Sequence, residues 1–169
     1  NESYFDVALD KAVTIFESSF FQDDRVSVAY QIYSDGRRKI KNGNFIFKQF
    51  VDVSSKSVVY TDHRDLYSDE LGNKKECWRR ATISGVKISN IDYRNILNAL
   101  INTDFGNRRP SLPGQCFFIN HDKEIILNLY DDRGMDVVSS HKKPLEGLYQ
   151  KHNDWILDYD RDEINKIFA

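Results

Sequence analysis

Apolar side chains recur at helical spacing from the start of the chain. Phe5, Ala8, Leu9, Ala12, Val13 and Phe16 stand at i, i+3, i+4, i+7, i+8 and i+11, one stripe of a helical period. Ser3 followed by Asp6 reads as a capping pair for this helix. From Val26 the period drops to two: Val26, Val28, Tyr30 and Ile32 alternate with small or polar residues, which predicts a strand ending at "SDGR". "NFIFKQFVDV" (44–53) and "KSVVYTDH" (56–63) carry the β-branched and aromatic content of further strands, and "SDELGNKKE" reads as a solvated turn. "CWRRATISGVKIS" resumes strand character, with Trp78, Arg80, Thr82 and Ser84 on one side and Arg79, Ala81 and Ile83 on the other.

A second helix follows. Tyr93, Ile96, Leu97, Leu100 and Ile101 share a face, and Asp92 is placed to cap it. "GNRRPSLPG" cannot be regular structure, because Pro110 and Pro113 lack a backbone donor and Gly106 and Gly114 flank them. "CFFIN", "EIILNLY" and "MDVVSS" predict three consecutive strands joined through "HDK" and "DDRG". Two helices close the chain. Pro144 opens the first, with Leu145, Leu148, Tyr149 and His152 on one face; Asp160 and Glu163 cap the second, ahead of Ile164, Ile167 and Phe168. The predicted class is α+β: one domain over 1–169, a mainly antiparallel sheet packed with an N-terminal helix, a central helix and C-terminal helices.

Composition narrows the function. At 169 residues and 40% hydrophobic, the chain can build a core without staples. Its 24 basic and 26 acidic residues nearly cancel, to a formal charge of -2, so it lacks the dominant positive field of general nucleic-acid or membrane-surface binding. An RNA-binding alternative would stack bases on Trp78 and Tyr93 beside Arg79 and Arg80, but no recognised RNA-binding motif accompanies them. No stretch approaches a membrane span, and no leader pattern is visible. Cys77 and Cys116 form no CxxC; reduced thiols in a cytoplasm are expected, with a single bridge as the alternative. The four histidines are scattered, and glycine-rich phosphate loops are absent.

Two stretches carry candidate chemistry. "DDRG" is rich in turn formers, so Asp131 can accept backbone donors while Gly134 supplies a positive φ to a hairpin. Its other reading is a divalent-metal hydrolase or nuclease site built on Asp131 and Asp132 with His121 or Asp136, although adjacent strand residues point to opposite faces. "HNDWILDYDRDEIN" surrounds Trp155, Ile156, Leu157 and Tyr159 with acids. It reads either as an amphipathic terminus packed on the sheet or as a docking surface for a basic partner. The candidate partner-binding residues are therefore Asp131, Asp132, Asp154, Trp155, Asp158 and Asp160, with no catalytic residue, cofactor or metal assigned.

"FFIN", "LYDDRGMDVVS" and "PLEGLYQKHNDWILDYDRDEI" together resemble a bacterial family named only as domain of unknown function 3885, with "NALINTDF" a plausible upstream part. In that family a Cys commonly stands where this chain has Met135, so a thiol role there would not carry over. By analogy the resemblance implies a cytoplasmic, monomeric immunity protein of a contact-dependent inhibition or related toxin system. It would bind one cognate toxin, of nuclease type, over its active or substrate surface.

Overall fold

A computed structural model describes residues 2–34, 39–40, 43–51, 53–54, 57–64 and 77–169. Its centre is a six-stranded antiparallel sheet. The strands are β1 (Arg25–Tyr33), β2 (Val59–Arg64), β3 (Cys77–Lys87), β4 (Gln115–Asn120), β5 (Ile125–Asp131) and β6 (Gly134–Ser139), in the order β2-β3-β1-β4-β5-β6. β1 holds a middle position and its six residues from Val26 to Gln31 are all buried, on both faces.

The register sorts the side chains. Val28 lies between Ile83 and Phe118, and Tyr30 between Ala81 and Cys116, forming an apolar inner face that Leu127 and Val137 extend toward β6. The helices α1 (Glu2–Ser19) and α3 (Tyr93–Ile101) pack over that face. Phe16 of α1 is fully buried where they meet, stacked on Tyr93 at 4.4 Å and edge-on to Phe118 at 4.9 Å. The expected stripes of both helices and both faces of β3 are thus found. Asp92 caps α3, accepting the Asn95 amide at 3.1 Å. α1 begins at Glu2, one residue before Ser3, so Ser3 lies inside its first turn and is not the cap.

The strand expected over 44–53 is instead α2 (Gly43–Phe47), followed by one bridge from Phe50 to Ile91. Ile46 is buried from within α2 and Phe50 from the bridge beyond it, an arrangement that β-type composition concealed. "SDELGNKKE" and residues 35–37 of the "SDGR" turn lie outside the described residues.

The proline-rich loop packs firmly. Leu112 is buried, and the Arg109–Pro110 peptide is cis. Gly114 has φ +103°, and a side chain there would collide with the Gln31 carbonyl and lie 2.8 Å from Ile32 Cγ2. Arg108 of this loop is a clamp: it covers the Phe5 ring, donates to Asn102 Oδ1 at 2.7 Å and pairs with Glu2 at 2.9 Å. Cys77 and Cys116 are both free. No described helix is long and apolar enough to cross a membrane.

After β6 a 3-10 turn containing Pro144 leads into α4 (Glu146–His152) and a second 3-10 turn (Asn153–Trp155), then α5 (Asp158–Phe168). α5 starts two residues before the expected cap: Leu157 is its N-cap, and Asp158 and Asp160 occupy its first turn, where the positive end of the helix favours them. No residue of α5 is buried. It is held to α4 by Phe168 stacked on Tyr149 at 4.3 Å and by the Tyr149 hydroxyl donating to Asn165 Oδ1 at 2.9 Å. The expectation that the aromatics of this stretch anchor it to the sheet fails for Tyr159, which is 93% exposed.

Candidate functional site

The β5–β6 hairpin separates its two adjacent carboxylates. Asp131 pairs with Gly134 across the turn and is buried, accepting the Arg133 amide at 2.7 Å and Nε at 2.9 Å, with Nη2 closer still. Hydrogen bonding from the Arg133 side chain, aided by the backbone bond, holds this carboxyl below the usual range against the opposing effect of burial. Asp132 instead accepts the Tyr4 hydroxyl at 2.7 Å, which ties α1 to the hairpin tip. Gly134 does not adopt the expected positive φ. It is glycine because a side chain there would meet the Tyr130 hydroxyl and lie 3.2 Å from Leu157 Cδ1.

His121 lies at the other end of β5, roughly 20 Å away at ~3.3 Å per strand residue. Its Nε2 is 3.0 Å from Ser27 Oγ, beside a hollow of about 370 Å³ that Glu124 and Ser139 also line. The residues of the metal-dependent alternative are therefore not brought together. Among the described residues no three His, Cys, Asp or Glu side chains gather as metal ligands would. The stacking platforms of the RNA alternative are also apart. Tyr93 is stacked on Phe16 beneath the sheet, while Trp78 is stacked on Tyr33 at 4.0 Å on the opposite face.

What the fold does assemble is a groove of about 1000 Å³ beside β6. One wall is α1, through Tyr4, Val7, Lys11 and Ile15. The floor is the hairpin, and the other wall is the C-terminal segment, through Leu148, His152, Trp155, Leu157, Asp160 and Ile167. His152 is buried, its Nε2 3.0 Å from Ser18 Oγ and its ring stacked on Trp155 at 4.9 Å. Lys11 Nζ stands 5.4 Å from the same indole. Burial, and secondarily Lys151, pushes the His152 imidazole below its ordinary range.

Negative charge collects at the outer rim. Burial and then Asp160 raise the Asp136 carboxyl, and burial, Asp136, Asp131 and Asp160 raise the Tyr130 phenol. Asp136 comes from β6 and Asp160 from α5, and among the described residues neither has an ion-pair partner.

Sequence comparison places the chain among known proteins. A family model described as "Domain of unknown function (DUF3885)" matches residues 1–160. The chain belongs to DUF3885. It is similar to the "Uncharacterized protein YnaE" of Bacillus subtilis (strain 168), 25% identical over 170 residues that span 94% of this chain and 78% of that protein. No solved structure matches. The DUF3885 match takes in α1, the whole sheet and the first turn of α5.

Of the residues expected to bind a partner, Asp131, Asp132, Trp155 and Asp160 line the groove of this DUF3885 chain. Asp154 and Asp158 do not; Asp154 is exposed in the 3-10 turn, and Asp158 points to solvent 3.6 Å from Arg161. Sequence reasoning missed the α1 wall. The signal was there, since Tyr4, Val7, Ala8, Lys11 and Ile15 form a second stripe at helical spacing beside the core stripe.

Proposed function

We propose that this DUF3885 chain is a binding protein that neutralises a cognate bacterial toxin by seating part of it in the groove beside β6. The reading rests on one observation: the acidic hairpin (Asp131–Asp136) and the acidic-aromatic C-terminal segment (Trp155–Asp160), distant in sequence, line a single apolar groove whose rim carboxylates, Asp136 and Asp160, have no ion-pair partner among the described residues. Such a surface suits a cationic partner, with charge hastening encounter and buried apolar contacts slowing release. A nuclease-type effector fits, since proteins that grip phosphate present basic residues. The chain would act as a monomer in the cytoplasm, where such a toxin does its damage.

The test is co-expression with the toxin domain encoded beside it. The chain protects the cell and co-purifies with the toxin in a stoichiometric complex, and Val7→Glu or Asp160→Lys weakens that complex at least tenfold while leaving the fold intact. Undiminished toxicity in the presence of excess chain overturns the reading.

A further inference from the structure

The groove flanks an unpaired sheet edge. β6 is hydrogen-bonded to β5 alone, and among the described residues no other backbone bonds reach Gly134–Ser139. Both faces of this edge open onto the same cavity: Met135 and Val137 line it from the inner side, Asp136 and Val138 from the outer. α5 forms the far wall without burying a residue.

A strand added to a sheet fills roughly 160 Å³ per residue, from spacings of ~4.8 Å between strands and ~10 Å between layers and a rise of ~3.4 Å. At that size the groove's volume of about 1000 Å³ holds about six residues, the length of β6. We infer that the groove accepts one extended segment of a partner protein as a seventh strand on β6, with apolar and basic side chains in alternation. This rests on the reading of the groove as the partner-binding surface and names what enters it.

The alternation follows from the pleat. Side chains directed to the inner face would meet Val137, Met135 and the exposed Val7 of α1. Those directed to the outer face would pass between Asp136 and Asp160. The other acids near the groove already have partners: Asp131 has Arg133, Asp132 has Tyr4 and Glu163 has Lys166. The neighbouring cations are likewise engaged, Lys11 over Trp155 and Lys142 over Phe168. The unmet charge is therefore confined to the outer row, and lysine or arginine at every second position answers it. Main-chain bonds to the edge would supply affinity whatever the sequence, and the alternating side chains would supply selectivity.

The probe is an eight-residue peptide of alternating valine and lysine, with three controls: valine and glutamate in alternation, the valine-lysine peptide N-methylated at every second amide, and the Asp136→Asn/Asp160→Asn protein. The valine-lysine peptide should bind and slow hydrogen exchange at the outward amides of β6. The glutamate peptide and the double variant should each lose at least tenfold in affinity, and N-methylation should abolish binding. Absence of binding, equal binding of the N-methylated peptide, or binding without slowed exchange in β6 overturns the inference. So does a concentration-dependent dimer whose β6 amides are protected without peptide, which would make a second copy the occupant. Toxin protection is read separately. Protection that survives the double variant with unchanged toxin affinity sinks the seventh strand alone, whereas strand binding without protection sinks the toxin reading alone.

Discussion

Replacing Asp131 tests whether the first carboxylate of "DDRG" is architecture. Its side chain is 7% exposed while that of Arg133 is 73% exposed, so the ion pair between them is screened and contributes only ~0.2–1 kcal/mol. The bond from the Arg133 amide is different. It lies inside the turn, it is 2.7 Å long, and hydrogen bonds to a charged group are typically worth ~1.5–3 kcal/mol net. Asp131→Ala loses both and should cost about 2 kcal/mol, which for a domain of this size lowers the melting temperature by roughly 4–8 °C. Asp131→Asn keeps an acceptor for the turn amide and loses the charge, so it should cost about half as much.

The pH dependence fixes the sign. Hydrogen bonding to Arg133 lowers the folded-state pKa, so the contribution of Asp131 is present above the unfolded value near ~4 and is lost as pH falls through the lower folded value. The deficit of Asp131→Asn should therefore be full at about pH 7 and shrink toward zero at about pH 2. Thermal and urea unfolding at the two pH values measure it. A deficit independent of pH, or unchanged stability in Asp131→Ala together with loss of toxin protection, would refute the architectural account.

Three further outcomes follow from the packing. Phe16→Ala, at the junction of α1, α3 and the sheet, should lose about 3–5 kcal/mol in urea unfolding; a loss under ~2 kcal/mol would mean that the cavity collapses. His152 favours its neutral form because it is buried. Its contribution is present above the unfolded pKa near ~6.5 and falls away as pH drops through the lower folded value, so wild-type stability should decline below about pH 6.5 more steeply than that of His152→Gln, and parallel curves would contradict this. Burial pushes the Cys116 thiol up to about 12, so a thiol reagent should titrate only Cys77 in the native protein and both cysteines in denaturant; fast native labelling of Cys116 would refute the packing.

Where one face of an element alone decides its burial, the sequence pattern carried over directly into the fold. α3 and β3 show this, since their apolar positions follow periods of 3.6 and two and their other positions meet solvent or the second sheet face. The segment 44–53 misled because Phe, Ile and Val favour strands on average, while one helical turn buries Ile46 and a lone bridge to Ile91 holds the buried Phe50. The cap signals of α1 and α5 failed in the same local way, while that of α3 at Asp92 held. A Ser or Asp in the right company marks a region of helix start, but the first residue is set by what the preceding chain packs against, as Leu157 packs beside Gly134 at the start of α5.

The site was half legible for a different reason. The acids of "DDRG" and of the C-terminal stretch stand out in composition, but composition cannot separate carboxylates that are satisfied from those that are not. Asp131 and Asp132 are the most conspicuous pair in the sequence, and the fold satisfies both, one with Arg133 and the other with a tyrosine 128 positions away. Asp136 and Asp160 stand out less, in a strand and at a helix start, and they are the two left facing each other across the rim. A carboxylate that already has its donors offers a partner little, because the new bond must first break the old one. One held near another and lacking a cation gains from each positive charge that arrives. Recognition by this groove should therefore follow Asp136 and Asp160 and be nearly indifferent to Asp131, the reverse of the order in which these residues attract notice along the chain.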